Sequence, residues 1–125
     1  SGNSFHTFLF HQFCKRKVIT IDIQIEDKAW IDTIERDGLS YMQNNIQTYD
    51  DKVLLLAWID YDDLTVGLLR AYTGKVVISI GNYDHTNANQ YLSVLNEKYR
   101  LIKHYELEMP WKSIEHIRIY LHNSY

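Results

Sequence analysis

Four polar side chains and one large ring stand together in Trp58-Ile59-Asp60-Tyr61-Asp62-Asp63. Asp60 and Tyr61 can accept and donate hydrogen bonds to a substrate. The Trp58 indole offers a flat face to a ligand or to a neighbouring helix. Asp62 and Asp63 suit a helix cap as well as a site, because a carboxylate readily accepts from the free N–H groups of a first helical turn. A second candidate carboxylate, Asp22, closes the apolar run "VITIDI". An aspartate at a strand end also serves to cap the turn that follows.

The remaining reactive groups are less organised. His6 and His11 are five residues apart, a poor match to the spacing that puts two metal ligands on one helix face. His104, His116 and His122 can approach each other on a C-terminal stretch that reads as a hairpin, and His116 and His122 share parity, so they face the same side. Histidines exposed on a strand are the ordinary outcome there, and no metal site is expected. Cys14 has no histidine and acid arranged with it as in a catalytic cysteine, and reads as a helix-end residue. Neither a nucleophile elbow nor a phosphate-binding loop is present.

These groups need elements to carry them. "KVLLLAW" (52–58) is the strongest strand pattern, and its abrupt change to acidic residues is the mark of a buried strand delivering side chains to a sheet edge. Asp62 or Asp63 caps the next helix, with Leu64, Leu68, Leu69 and Tyr72 on one face and Gly74 closing it. "KVVISIG" (75–81) is a second buried strand. Residues 87–99 read as a helix with Ala88, Tyr91, Leu92 and Leu95 inward, capped by Thr86 or Asn87. Segments 101–108 and 114–122 alternate, and Pro110 with Trp111 separates them, so an antiparallel hairpin closes the chain. Upstream, Phe5, Phe8, Leu9 and Phe13 recur at helical spacing in residues 4–14. "KVITIDI" (17–23) is rich in β-branched residues and reads as a strand. Asp27 heads a helix carrying Trp30, Ile31 and Ile34 that ends at Asp37-Gly38, and residues 39–48 form a further short helix. The alternation predicts an α/β fold, a three-layer sandwich with a mostly parallel sheet and an antiparallel end.

Composition narrows the function. A chain of 125 residues, 46% apolar and 23% charged, suits one packed domain. The net charge of −3 argues against nonspecific nucleic-acid binding, which needs a basic face. The single cysteine rules out an intrachain disulfide and fits a reducing, cytoplasmic setting. No apolar run approaches the roughly 18 residues that read as a membrane span. Ten tyrosines give the chain a surface that suits a protein partner.

The run "VLLLAWIDYDD…LLRAYTGKVVISIG", followed by a helix and "EMPW…IRIYL", resembles class I S-adenosylmethionine-dependent methyltransferase-like proteins. In that family the segment reads as a strand ending in Trp-Pro-Pro-Tyr, a helix ending in Ala-Tyr-x-Gly and a strand ending in Gly-Glu. "SGNSFHTFLF" is similar to the tail of the family's glycine-rich loop and its helix, and "VITIDI" to its second strand. The resemblance implies a Rossmann-like scaffold over residues 1–125 that starts after the family's first strand. It implies S-adenosylmethionine as cofactor, held by Gly2, Asn3, Asp22 and Trp58, with Asp22 on the ribose. Asp60 and Tyr61 would contact the methyl acceptor. The pattern departs at Ile59 and Asp60, which replace two prolines, and at Asn82, which follows Gly81 in place of glutamate. The implied function is methyl transfer or a catalytically degenerate descendant of it. The alternative is a noncatalytic protein-binding module, an inhibitor or accessory subunit on the same scaffold. A protein partner, or a second chain completing the sheet, belongs to either reading.

Overall fold

The computed structural model describes residues 5–25, 27–45, 51–60, 62–83 and 88–125. These form two compact units, Ser1–Asn44 and Asn45–Tyr125. Together they make an α/β protein with four helices and two sheets among the described residues. No helix among them is long and apolar enough to cross a membrane.

The first unit holds α1 (Phe5–Cys14), β1 (Thr20–Asp22), β2 (Thr33–Glu35) and α2 (Gly38–Asn44). The helix expected from Asp27 to Asp37 is not there. Thr33–Glu35 instead pairs in parallel with β1, Ile34 opposite Ile21 and Glu35 opposite Asp22. The physical reason is local. Ile31, Thr33 and Ile34 are β-branched and suit a pleated surface, and so short a segment cannot offset the cost of helix nucleation by itself. Asp37 does not end a helix but starts one. Its carboxylate accepts from Leu39 N, Ser40 N and Ser40 Oγ, and these bonds hold its pKa below the ordinary value, the Ser40 hydroxyl foremost. Of the predicted 39–48 helix, α2 covers the part up to Asn44, and residues 46–50 lie outside the described ones. Phe8 of α1 meets Trp30 with ring centroids 5.4 Å apart.

The second unit contains β3 (Val53–Ala57), α3 (Asp63–Ala71), β4 (Val76–Gly81), α4 (Ala88–Lys98), β5 (Tyr99–Glu108) and β6 (Ile114–His122). Its sheet runs β3-β4-β6-β5. β3 and β4 are parallel neighbours, Val53 beside Val76 and Ala57 beside Ile80. The expected mostly parallel sheet is corrected here, because β6 inserts antiparallel between β4 and β5, leaving one parallel and two antiparallel pairings. A final hairpin whose second strand docks on β4 produces this, and periodicity alone does not reveal which hairpin strand lies inside.

Burial alternates along β4. Val77, Ser79 and Gly81 are buried and Val76, Ile78 and Ile80 half-buried. The buried face continues through Leu56 and Tyr120, which pair with Ser79 and Val77. Val66 and Leu69 from α3, with Tyr91, Val94 and Leu95 from α4, complete the core. Full burial of one such aliphatic side chain is worth about 1.5–3 kcal/mol.

Tyrosine hydroxyls fix the amino-terminal ends of the parallel strands. Tyr72, 1% exposed, directs its hydroxyl at Lys52 O just before β3 and at Val76 O on β4. Tyr99 lies against it, with centroids 6.4 Å apart, and donates to Gly74 O. Gly74 is not the cap of α3. Tyr72 is, extended at φ −72° and ψ 130°, and the Lys98 ammonium closes the helix by donating to Leu69 O, Arg70 O and Tyr72 O. A cation at a helix C-terminus satisfies orphan carbonyls and matches the dipole. Partial burial lowers the Lys98 pKa.

Burial pushes the Tyr72 phenol up from 10.0 to about 12, and raises Tyr99 as well. The folded chain therefore keeps a proton that the unfolded chain has released above the ordinary tyrosine range. Stability falls as pH rises through that window. Urea unfolding across pH 9 to about 12 is expected to show this decline. Tyr72→Phe is expected to flatten part of it while costing about 1–3 kcal/mol at neutral pH, because the part-buried carbonyls of Lys52 and Val76 lose the one hydroxyl proton they share.

Candidate functional site

β3 and β4 end side by side, and the ladder extends one step further through Trp58 N donating to Ile80 O at 2.8 Å. The chain then turns sharply. Trp58 has φ of 49°, a left-handed conformation that costs a non-glycine residue roughly 1–2 kcal/mol. Strain of this kind collects where the surroundings hold a loop in a set shape. Gly81, at the matching end of β4, has φ of 154°, where the absence of a Cβ is what permits the turn.

Thr65 ties the Trp58 loop to α3 from two directions. Its hydroxyl donates to Asp60 O at 2.7 Å, and its N–H donates to Asp62 Oδ1 at 2.9 Å. Asp62 is thus the N-cap that the sequence left open between Asp62 and Asp63, while Asp63 lies in the first turn, where its charge suits the helix dipole. The Trp58 side chain is 48% exposed and Asp60 is exposed. The turn therefore presents an indole and a carboxylate on a loop anchored at both ends.

Beyond β4 the next side chain with a defined role is Tyr83. Its hydroxyl donates to Ser79 Oγ at 2.6 Å, and Ser79 Oγ lies 2.6 Å from the Tyr91 hydroxyl. Burial raises the Tyr83 pKa, so the phenol stays a donor. The Arg118 guanidinium sits 4.1 Å from the centre of the Tyr83 ring. This buried hydroxyl chain fastens the loop after β4 to α4.

In the first unit Asp22 closes β1, half-buried. Its Oδ1 accepts from Gln24 N at 3.2 Å and its backbone oxygen accepts from Arg36 N at 2.8 Å. The carboxylate thus caps a turn at the carboxyl end of a parallel pair.

Trp58 and Asp60 come together on one loop, and Asp22 belongs to the other unit. Gly2, Asn3 and Tyr61 lie outside the described residues, as do Thr86 and Asn87. Thr65, Ser79 and Tyr83 were not singled out by the sequence. The signal for Thr65 is its place three residues after Asp62, the offset at which a cap aspartate bonds back. Of the hairpin histidines, His104 Nε2 and His116 Nδ1 are 2.9 Å apart, while His122 lies against Tyr99, with centroids 5.1 Å apart. Comparisons with protein-family models, curated proteins and solved structures found no match.

Asp62→Ala is expected to lower the stability of this unit by about 0.5–2 kcal/mol, and Asp63→Ala by less, since only the former removes the cap. Chemical denaturation followed by circular dichroism measures both.

Proposed function

We propose that this chain is an S-adenosylmethionine-dependent methyltransferase-like protein on a three-layer, Rossmann-like scaffold, with a catalytically degenerate acceptor loop. The observation that carries the reading is the parallel β3–β4 pair, whose carboxyl ends hold the strained Trp58 turn and Gly81 at adjacent positions. In open α/β sheets ligands bind beyond the carboxyl ends of parallel strands. Two further features agree with it. Asp22 ends a second parallel pair, with its carboxylate in a turn just beyond the strand. The closing hairpin is antiparallel, as the alternation of residues 101–108 and 114–122 predicts.

In this reading Asp22 accepts hydrogen bonds from the ribose hydroxyls, and Gly2 with Asn3 faces the cofactor. Trp58 supplies a flat apolar contact, and Asp60 with Tyr61 meets the acceptor. The cofactor, when bound, brings the activated methyl group. The residues contribute position, because methyl transfer depends on holding donor and acceptor in line. Loss of two prolines between Trp58 and Tyr61 removes rigidity from that loop, which is the reason for proposing weak or absent turnover. A cytoplasmic setting suits the single, exposed Cys14. A protein partner belongs to the reading too. Among the described residues β3 has a strand neighbour on one side only, and a strand from a second chain can add to an open edge.

Isothermal calorimetry of the folded chain with S-adenosylmethionine tests this. Saturable binding at micromolar concentration is expected. Asp22→Ala is expected to weaken it about tenfold or more, since hydrogen bonds to a charged group are worth about 1.5–3 kcal/mol. No heat at millimolar ligand from a chain with intact circular dichroism would sink the reading and favour a noncatalytic protein-binding module.

A further inference from the structure

The β5–β6 ladder contains a register shift between Leu101 and Lys103 that leaves Ile102 out of the pairing. Side chains alternate across a strand, so one extra residue moves every later position to the opposite face. After the shift His104 pairs with Arg118 and Glu106 with His116. The register between the shift and the hairpin turn therefore puts His104, Glu106 and His116 onto one face. One ligand atom from each lies within 4.8 Å of the others.

We propose that His104, Glu106 and His116 form a binding site for a divalent transition-metal ion of the zinc class. The donor set, two imidazoles and one carboxylate, is a set that such ions take. The geometry is close to what binding needs. His104 Nε2 and His116 Nδ1 stand 2.9 Å apart, already aimed at one another. Zinc–nitrogen bonds of about 2.0–2.1 Å at a tetrahedral angle put two nitrogens about 3.3 Å apart, so the rings need open by only a few tenths of an ångström. The two rings are near-parallel, at 29° with centroids 5.1 Å apart, and the Tyr83 ring also lies against His116, with centroids 5.8 Å apart.

Electrostatics permit a cation here. Arg118 is opposite His104, but its guanidinium lies over the Tyr83 ring. Glu106 contributes a negative charge directly opposite His116. His104 and Glu106 are exposed, so water has access to the remaining coordination positions. The ligands project from paired strands rather than from a loop, which sets their separation before the ion arrives. This site stands independently of the cofactor reading.

The test is a titration of the untagged, chelator-stripped full chain with zinc chloride by calorimetry. Cobalt absorption serves as a second reading of ligand geometry. One ion per chain is expected to bind. His104→Ala and His116→Ala are each expected to weaken binding by at least about tenfold, since loss of even an outer-shell partner costs about 10–100-fold. Glu106→Gln is expected to weaken it less, and His122→Ala to leave it unchanged. The changes are at surface positions, and circular dichroism verifies that each variant is folded. Absence of saturable zinc binding, or affinity unaltered in both His104→Ala and His116→Ala, overturns the proposal.

Discussion

Parallel pairing of β3 with β4 is the constraint on which the second unit rests. Parallel strands cannot be joined by a tight turn, so α3 must cross between them. That crossover puts one strong apolar run beside another and sends both carboxyl ends to the same edge. Tyr72 holds the opposite end. Lying just past α3, it reaches back to the start of both strands with one hydroxyl. Lys98 and Tyr99 then close the same junction from the end of α4. A helix terminus, two strand starts and the beginning of the hairpin thus meet at one buried point.

What happens at the other edge follows from this. With their amino-terminal ends pinned, β3 and β4 finish in register, and the chain must leave β3 at Trp58. The left-handed turn there is unfavourable in isolation. It persists because Thr65 secures Asp60 and Asp62 while the Trp58 amide continues the ladder. Buried hydroxyls do the same for the loop after β4, through Tyr83, Ser79 and Tyr91. Trp58, Asp60 and Tyr83 are in this way anchored at the carboxyl ends of the two strands.

Much of this was legible in the residues. The runs Val53–Ala57 and Val76–Gly81 are apolar and bounded by polar residues, and the amphipathic helix between them carries its own cap in Asp62. The placement of Trp58 and Asp60 at a strand end could be read from the sudden change of polarity. Asp27–Asp37 was not legible, because a short stretch whose apolar residues are Ala29, Trp30, Ile31 and Ile34 satisfies a helix period and a strand equally. Asp37 was misread because an aspartate before a glycine suits either a helix start or a helix stop. Strand order was hidden for a different reason. It depends on pairings between residues far apart in the chain, which local periodicity does not encode. That His104 and His116 can approach each other on the closing hairpin was legible, but the register that pairs Glu106 with His116 was not, because it is set by the turn and not by periodicity.

We propose that the carboxyl edge of β3 and β4 binds an adenosyl cofactor. Amide and indole chemical shifts recorded by NMR during titration with S-adenosylhomocysteine report on it most directly. Saturable shifts are expected at the Trp58 indole and at the backbone of Ile59–Asp63 and Gly81–Tyr83. A spectrum that does not move, or shifts confined to Lys52, Gly74 and Lys75 at the opposite end of the strands, would contradict it.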